Sequence, residues 1–542
     1  MRTRRVAMLL IPVMVLAACS SSDSTSSPDP TTAPANGLVV DTPDPSGPID
    51  KIVWALDYEP SSLDWAYAYN YAENTVLSSV CENLLRLAPD YSIQPALAES
   101  FSHPSPTTWV YEIREGVTFH DGKPMTIDDV VWSLNRHLDA DVGSYWGGWM
   151  ANVASITATG PMQVTVELTK PDVVFNQMMA TPAGAVAEQA FVEAAGADYG
   201  TPDGGVMCTG PYKLESWSGG SSLTLAAYEG YWDANLQPKA AVVEMPFITE
   251  ESTLISAMLT GEIDGTFSVP PSGAAQLASS DAGTLYFGPS MQSFNVIVSS
   301  FDGALGDARI RRALTLALDR EGIVAAAVDG NATVLKGVVA PPSWGYSADV
   351  FQAGWDALPG IEQDLDAAKA LVAEAGVPDE PIVLATLGES EELGIISTAL
   401  QDAARQLGIE LEISVLPVGT YATLFFDAEA RVGIDMFLTG WYTDVPEPLN
   451  MYATIFTTDG ASNYNGYSNE EYDRLISEAL GTDDPDARAA LVVQAQAIIL
   501  EEAPWIPLYT PNVRVFQSKR VSGVPTTFVY LYYPWLAEIG AA

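Results

Sequence analysis

The spacing of apolar residues along the chain changes between the two-residue period of strands and the longer period of helices. Residues 163–168 alternate valine or leucine with polar residues, which predicts a strand with one buried face. From Asp307 to Val328, apolar residues such as Ile310, Leu314 and Leu318 recur at helical spacing. Helical and strand patterns follow one another through the second half of the chain, and this order is typical of α/β packing.

Several element boundaries can also be predicted from local signals. Thr126, followed three residues later by Asp129, predicts a capping box and therefore the start of a helix. Helical spacing over Ile396–Leu407 is followed by a glycine, which predicts a helix end, and then by an alternating strand pattern. Residues 107–122 predict two strands that close at the Asp-Gly pair 121–122.

A short apolar run, Ile434–Leu438, predicts a buried strand that leads into GWYTDVPEP, Gly440–Pro448. The prolines end the strand and stiffen the turn. Trp441 and Tyr442 supply apolar faces with polar tips, and Asp444 supplies a carboxylate on a rigid backbone. This combination fits one wall of a ligand cleft, in which the carboxylate receives an ammonium group. An ordinary exit from a strand, with a solvated aspartate, fits the same residues.

Length and charge restrict the classes of function. A chain of 542 residues is too long for one hydrophobic core and predicts about two to four structural units. The formal net charge of −45, from 69 acidic and 24 basic residues, has the wrong sign for binding nucleic acid. Such acidity more commonly serves solubility than a specific site. The three cysteines are too few for a disulfide scaffold in a chain of this length.

The N-terminus has the order of features found in bacterial lipoprotein signal peptides. Arginines are followed by an apolar run over Val6–Ala18, which ends in small residues before Cys19. We predict a signal peptide over residues 1–18 and a lipid on Cys19; a plain signal peptide with a free cysteine is the alternative. Residues 19–48 are rich in Ser, Thr and Pro and predict a flexible tether. The folded body is then extracytoplasmic, anchored to the outer face of the cytoplasmic membrane.

The first part of this body contains a tyrosine-rich segment and one of two remaining cysteines. Three tyrosines alternate in AYAYNYAEN, so one side of this segment either faces a ligand or packs against a loop. Apolar spacing over Asn74–Leu87 predicts the next helix. Within it lies Cys81, and in an oxidising compartment Cys81 and Cys208 either form one disulfide or remain two separate buried thiols.

Patterns for several kinds of chemistry are missing. Gly116–Pro124 has a proline where a phosphate-binding loop needs Ser or Thr, so it predicts a hairpin turn. His103, His120 and His137 lack the spacing of metal ligands, and we predict neither a metal nor a cofactor. No pair of carboxylates stands out from a sequence that is acidic throughout. We therefore predict that the protein is not an enzyme, with a cell-surface hydrolase as the alternative.

Six stretches together resemble the family 5 extracellular solute-binding proteins, the dipeptide and oligopeptide receptors of ABC importers. They follow the order of the family, span nearly the whole mature chain, and include HDGKPMTIDDVVWS, which is close to a family signature. They are CENLLRLAPDYSIQPALAESF from Cys81, VYEIREGVTFHDGKPMTIDDVVWSLNR from Val110, TGPYKLESW from Thr209, DARIRRALTLALDREGIV from Asp307, GWYTDVPEP from Gly440, and NYNGYSNEEYDRLISEAL from Asn463.

The resemblance implies an α/β fold of the two-lobed periplasmic-binding-protein type II, cluster C, with an extra subdomain. Lobe I would combine residues 49–85, 208–295 and 506–542. The extra subdomain would be residues 86–207, and lobe II would be residues 296–505. The two lobes would close over a ligand held between them.

The resemblance also implies roles for individual residues. In peptide-binding members the aspartate after the tryptophan accepts the α-ammonium of the ligand, and the backbone around the tryptophan pairs with the ligand as an added strand. The tyrosine-rich segment of lobe I would face the ligand from the other side. The residues implied to contact the ligand are Gly440, Trp441, Tyr442, Asp444, Tyr67, Tyr69, Asn70 and Tyr145.

The chain departs from the family at the positions that bind a ligand carboxylate. Oligopeptide members place an arginine just before the glycine-tryptophan pair, where this chain has Leu438. Dipeptide members carry an arginine in the loop before the helix at Ile396, where this chain has Glu389, Glu391 and Glu392. A ligand with a carboxylate close to its amine is therefore not favoured. A longer peptide, a cationic compound and a neutral saccharide stay as alternatives.

Taken with the predicted anchor, the resemblance predicts the substrate-binding lipoprotein of an ABC importer. It would act as a monomer that captures a small solute, an oligopeptide or dipeptide, and delivers it unchanged to a membrane permease. ATP hydrolysis would belong to separate ATPase subunits.

Overall fold

The computed structural model describes residues 38–360, 362–388 and 390–542. The predicted signal peptide, the lipidation site at Cys19 and most of the predicted tether lie outside the described residues. In the described part of the chain there are 21 strands and 15 α-helices, joined by loops and short 3-10 turns. None of the helices described is both long enough and apolar enough to cross a membrane.

Strands and helices are numbered in chain order. The strands are β1 (Ile49–Val53), β2 (Leu85–Leu87), β3 (Ile93–Pro95), β4 (Ala98–Ser105), β5 (Thr108–Ile113), β6 (Val153–Gly160), β7 (Gln163–Leu168), β8 (Tyr212–Ser218), β9 (Ser222–Ala227), β10 (Ala240–Pro246), β11 (Gly265–Thr266), β12 (Gly283–Gly288), β13 (Gln292–Val298), β14 (Ala332–Val334), β15 (Ile382–Leu387), β16 (Leu411–Leu416), β17 (Met436–Tyr442), β18 (Trp505–Pro511), β19 (Val513–Ser518), β20 (Val521–Ser522) and β21 (Gly540–Ala541). The helices are α1 (Tyr71–Val80), α2 (Ile127–Asn135), α3 (Phe175–Met178), α4 (Gln189–Ala195), α5 (Glu251–Thr260), α6 (Ala274–Ala278), α7 (Ala308–Ala317), α8 (Arg320–Val328), α9 (Ala348–Ala357), α10 (Leu365–Ala375), α11 (Glu391–Gln406), α12 (Val418–Thr423), α13 (Pro448–Phe456), α14 (Glu470–Leu480) and α15 (Pro485–Glu502).

The largest sheet has six strands in the order β14-β18-β13-β17-β15-β16. Its apolar residues alternate between two faces, as the two-residue period requires. On one face Val296 packs into a core with α7, α8, α10 and α11, whereas on the other face Ile297 belongs to a core shared with α13–α15. Both faces are therefore covered by helices, which is the α/β packing predicted from the sequence.

Three other sheets make up most of the remaining strands. A four-stranded sheet has the order β1-β10-β9-β8, and a three-stranded sheet has the order β11-β19-β12. The four-stranded antiparallel sheet β4-β5-β7-β6 is built entirely from residues between Ala98 and Leu168. The predicted alternating strand at residues 163–168 is confirmed as β7, the partner of both β5 and β6.

The chain passes twice between the three-stranded and the six-stranded sheet. It leaves β12 and enters β13 through residues 289–291, and it returns from β18 to β19 through Asn512. The crossings lie side by side, because β12 pairs with β19 and β13 pairs with β18. Thr510 Oγ1 donates to the Ser290 carbonyl across them at 3.4 Å. Paired crossings of this kind are where one sheet can rotate against the other.

Local signals in the sequence located several boundaries. The predicted capping box is confirmed: Asp129 N donates to Thr126 Oγ1 and Thr126 N donates to Asp129 Oδ2. The helix predicted over Asn74–Leu87 instead runs from Tyr71 to Val80, since Asn70 caps its first turn. After β5, the predicted second strand is only an isolated bridge, although the glycine turn predicted at 121–122 is present.

A disulfide joins Cys81 to Cys208. Cys81 follows the last residue of α1, and Cys208 lies just before β8, 127 positions along the chain. Both residues are buried in the main hydrophobic core. The bond therefore ties the end of α1 to the segment that follows the sheet β4-β5-β7-β6 along the chain.

Removal of this disulfide should lower stability. Closing so long a loop restricts the unfolded chain, so we expect the Cys81→Ala/Cys208→Ala variant to lose about 2–5 kcal/mol of unfolding free energy. Denaturant unfolding with and without a thiol reductant measures this loss. The parent should lose stability on reduction while the double variant does not respond, and equal midpoints for the reduced and oxidised parent would contradict the expectation.

Candidate ligand-binding site

The stretch Gly440–Pro448 lies at the end of a central strand. It begins within β17, and the chain leaves the sheet after Tyr442. Glu447 caps α13, which starts at Pro448, by accepting from Leu449 N. Asp444 is thus held between a strand in the middle of the six-stranded sheet and a capped helix. This setting gives the carboxylate the rigid backbone that the two prolines predict.

Asp444 is buried without a cation beside it. Its side chain is 6% exposed, and Tyr532 donates a hydrogen bond to Oδ1 at 2.8 Å. Burial raises the pKa of Asp444 to about 7, and the hydrogen bond from Tyr532 only partly opposes this. Asp444 forms no ion pair with any of the residues that the structure describes.

Tyrosine hydroxyls surround this carboxylate. Burial raises the pKa of Tyr145, Tyr442 and Tyr532, and the charge of Asp444 raises each of them further. The three side chains come from distant parts of the sequence, which the fold brings to one place. Together with Asp444 we call them the carboxylate cluster. Its neutral hydroxyls can donate hydrogen bonds, but they leave the negative charge uncompensated.

Tyr442 connects the carboxylate cluster to the tyrosine-rich segment. Its hydroxyl donates to the Tyr69 carbonyl at 2.7 Å. Its ring lies 5.4 Å from that of Tyr71 and 4.9 Å from that of Phe528. The strand end of the six-stranded sheet therefore contacts the segment before α1 directly.

Tyr69 also takes part in an aromatic contact series. Its ring stacks on Tyr145 with centroids 4.8 Å apart, and the edge of Phe426 approaches it at 5.8 Å. Phe426 lies in the loop after α12, so the series joins residues from three regions of the fold. Phe426 itself remains 64% exposed, which places this contact at the rim of the site.

Trp441 points away from Tyr442, as neighbours in a strand do. Its ring packs edge-on against Tyr464 at 6.1 Å and Trp505 at 6.0 Å. The guanidinium of Arg431 lies over the Tyr464 ring, 5.6 Å from its centroid. The indole is half-buried on the face that packs against α13–α15.

Gly440 allows a side chain from the neighbouring strand to cross over it. Gln292 Nε2 donates to the Gly440 carbonyl at 3.2 Å and also to the Tyr71 hydroxyl. A Cβ at Gly440 would lie 2.8 Å from this Gln292 nitrogen, so only glycine leaves the amide room to pass. Gln292 therefore links the backbone of β17 to the start of α1.

The far edge of β17 is uncovered along much of its length. Among the described residues, β15 pairs with β17 only at Met436 and Phe437. Backbone groups of alternate residues point to opposite edges of a strand, and both backbone groups of Leu438 face away from β13, since they bond the Tyr421 hydroxyl. Gly440 and Tyr442 consequently turn their N–H and C=O groups to the uncovered edge. A ligand backbone can pair there as an added strand.

Of the predicted contact residues, Tyr67 and Asn70 have hydrogen-bond partners outside the carboxylate cluster. The Tyr67 hydroxyl donates to the Val142 carbonyl at 2.7 Å. The Asn70 side chain accepts from Tyr71 N at 3.0 Å and caps α1. Both side chains thus have local structural partners.

Sequence reasoning missed several residues that the fold places at the site. Tyr532 and Phe528 belong to the C-terminal tail, which has no regular period, and Gln292 opens β13. For the two tail residues, the one available sequence signal is the high density of aromatic residues in TTFVYLYYPW, from Thr526. Glu391 and Glu392, predicted to lie in the loop before a helix at Ile396, instead form the first turn of α11, which Ser390 caps. Glu392 accepts from the Tyr509 hydroxyl at 2.5 Å. Glu389 lies outside the described residues.

Residues suited to a metal ion are not grouped in the described part of the chain. No set of three or more His, Cys, Asp or Glu side chains there is placed to hold one. His137 is buried and His120 is half-buried, and loss of solvation lowers the pKa of His120 to about 4 and that of His137 to about 3. Both imidazoles are therefore neutral at physiological pH.

Comparison with known proteins gives a consistent family. The model for bacterial extracellular solute-binding proteins, family 5, matches residues 92–463. The glutathione-binding protein GsiB of Salmonella paratyphi A is 30% identical over 485 residues, which cover 87% of this chain and 91% of that protein.

Solved structures agree on the fold. The oligopeptide-binding protein AppA of Bacillus subtilis, in complex with a nonapeptide, superposes with a TM-score of 0.78 at 22% identity. The superposition covers 92% of this chain and 100% of AppA. AgaA of A. tumefaciens R10, in complex with agropinic acid, gives 0.79 at 20% identity over 91% and 99% of the two chains. These likenesses show the two-lobed type II periplasmic-binding-protein fold.

The family match extends over more than half of the sequence, and the fold agrees with it throughout the described residues. The chain belongs to the family 5 bacterial extracellular solute-binding proteins, and it is a solute-binding protein of the kind that serves ABC importers.

Proposed function

We propose that this protein captures a peptide or peptide-like solute with a free ammonium group, holds it between its lobes, and delivers it unchanged to a membrane permease with separate ATPase subunits. No step in this function breaks a covalent bond. The protein would act as a monomer and without a cofactor.

The observation that carries the proposal is the uncompensated charge of Asp444. A buried carboxylate without a cation is unfavourable, and its hydrogen bond from Tyr532 meets only part of that cost. An ammonium group from outside the protein would supply the missing positive charge and up to three donors. Tyr442 and Tyr145 would then enclose the carbon stem of the amine with apolar ring surface.

The uncovered edge of β17 supports a peptide as the source of this ammonium. Gly440 and Tyr442 present backbone groups to that edge, and Asp444 follows two residues later. A peptide whose N-terminus binds Asp444 can therefore continue along the edge by backbone hydrogen bonds. Side chains would add specificity, while these main-chain contacts accept many sequences.

Relatives indicate which compounds to test first. GsiB is named for glutathione, which carries an ammonium group, carboxylates and amide bonds, and AppA was solved with a nonapeptide. Short unmodified peptides are therefore the first candidates, and glutathione tests the expectation that a carboxylate beside the amine is not favoured. Mass spectrometry of ligand that remains bound through purification would decide among peptides, other cationic compounds and saccharides. Products released from a glycan or peptide would instead favour a hydrolase.

Closure of the lobes would accompany capture. The division predicted from the sequence places two boundaries, 295/296 and 505/506, inside β13 and β18. We therefore propose boundaries at the two crossings between sheets: lobe I from 49–85, 208–288 and 513–542, an extra subdomain of 86–207, and lobe II of 292–511. The contacts of Tyr69 with Tyr442 and Phe426 support a closed arrangement of these parts. A ligand that touches both lobes only in this state would favour closure.

Stability should reveal the uncompensated charge before any ligand is known. A folded-state pKa of about 7 exceeds the ordinary value of 3.8, so the folded protein holds the extra proton between these pH values. Parent stability should therefore fall as pH rises through this window, by about 4 kcal/mol in all. Asp444→Asn should lack this fall, and denaturant unfolding of both proteins from about pH 4 to about pH 8 measures it. Parallel pH profiles would contradict the assignment.

Ligand affinity should depend on the same carboxylate. Asp444→Ala should weaken binding of an amine-bearing ligand by about 1.5–3 kcal/mol, as for a hydrogen bond to a charged group. Calorimetry in two buffers of different ionisation enthalpy should also show proton release on binding below about pH 7, because the ammonium requires the ionised carboxylate. Asp444→Asn is the matched control of equal size. An acetylated peptide that binds as well as its free amine would rule out the ammonium assignment.

The anchor can be tested apart from the ligand. We propose that a lipid on Cys19 holds the protein at the outer face of the cytoplasmic membrane. Cys19→Ser should move the protein from the detergent phase to the aqueous phase in phase partition, because it removes the acylated thiol. Ligand binding should be unchanged, and Cys81→Ala/Cys208→Ala serves as a control that keeps its lipid. Aqueous partition of the parent protein would contradict the anchor.

A further inference from the structure

We propose that the ring of Tyr421, held in place by its hydroxyl, ends the ligand-binding edge of β17 and so limits the bound peptide to about four residues. This inference rests on the proposed function, since it concerns the length of a peptide that pairs with Gly440 and Tyr442. Tyr421 acts here as a specificity-determining residue. It would not contact a bound peptide of up to about four residues, and it would exclude a longer one.

Tyr421 occupies both backbone groups of one residue on the uncovered edge. Leu438 N donates to the Tyr421 hydroxyl oxygen at 2.9 Å, and the same hydroxyl donates to the Leu438 carbonyl at 2.6 Å. A single hydroxyl thereby takes the donor and the acceptor that a neighbouring strand would use. Burial raises the pKa of Tyr421, so its hydroxyl keeps its proton at physiological pH.

Leu438 is the next position on the edge after Gly440. Residues at even numbers in β17 turn their backbone groups away from β13, and the two bonds to Tyr421 show this for Leu438. The positions for ligand pairing are therefore Tyr442, Gly440 and Leu438, in the direction away from Asp444. The last of them is closed by Tyr421, so the edge open to a ligand has only two positions.

The register converts this closure into a peptide length. A peptide with its N-terminus at Asp444 runs antiparallel to β17, and pairing positions recur at every second residue. With about the first residue opposite Tyr442, about the third lies opposite Gly440 and about the fifth opposite Leu438. A fifth residue would need the place that the Tyr421 ring fills. Longer peptides must bend out of the site or leave it.

The obstacle is fixed by the packing around it. Tyr421 is 7% exposed, and its ring lies 6.2 Å from that of Phe425 within the first turn after α12. Leu438 is 1% exposed, so the Tyr421 hydroxyl bonds its backbone groups in a buried place. Displacement of Tyr421 would leave two buried polar groups without partners. The ring is therefore a built stop and not a mobile side chain.

A series of unmodified alanine peptides, from dialanine to hexaalanine, tests the proposal. In the parent, affinity should rise up to about the tetrapeptide and fall for longer members by about tenfold, the worth of one or two backbone hydrogen bonds. Tyr421→Ala should move this fall from pentaalanine to hexaalanine, because it opens the position at Leu438 while β15 still pairs with β17 at Phe437. Tyr421→Phe is the matched control: its ring still blocks the edge, so the length limit should persist. Thermal unfolding of each variant verifies that it is folded.

The outcomes separate this inference from the proposed function. Parent protein that binds no peptide of any length contradicts the proposed function. Parent protein that binds all lengths equally, or a folded Tyr421→Ala variant that keeps the parent's length limit, contradicts only the role of Tyr421. A limit that also moves in Tyr421→Phe would assign the effect to the hydrogen bonds and overturn the ring as the stop.

Discussion

The arrangement of the site depends on one buried carboxylate that no cation of the described chain neutralises. Tyr532 holds Asp444 by a hydrogen bond, and Tyr442 and Tyr145 lie close enough to sense its charge. Tyrosines suit this task because they donate hydrogen bonds in a buried place without adding positive charge. An arginine in their position would satisfy the aspartate internally. The charge would then be unavailable to a ligand.

Holding these groups together requires distant parts of the chain. Tyr69 precedes α1, Tyr145 lies between α2 and β6, Tyr442 ends β17, and Tyr532 returns with the C-terminal tail. The tail is fixed by bonds such as that from Trp535 Nε1 to the Thr75 carbonyl at 3.0 Å. The two adjacent crossings between sheets allow the parts to approach and separate as units. A site at their junction is thus complete only when the units meet.

The sequence predicted the strand end at Gly440–Pro448 and the α/β order because both follow from local patterns. The family resemblance added the fold and the expectation that residues of the other lobe, such as Tyr69, face the ligand. Tyr532 escaped prediction because its tail has no period, and its position depends on contacts with α1. Tyr67 and Asn70 show that a ligand-facing side cannot be assigned from the sequence of such a segment alone. Alternation in an irregular segment does not define a face, and local partners took both side chains.

Gly440 shows how binding and closure compete for the same group. Its carbonyl accepts from Gln292 Nε2, which also donates to Tyr71 on α1. A peptide that pairs with Gly440 donates to this carbonyl as well, so it shares the acceptor with Gln292 or displaces it. The free energy of this ligand hydrogen bond is therefore reduced by the cost of weakening the bond from Gln292, in addition to the cost of removing water. It follows that affinity at this position would be set by the difference between the two bonds, whereas at Asp444 an ammonium would compete only with a proton and not with a cation of the described chain.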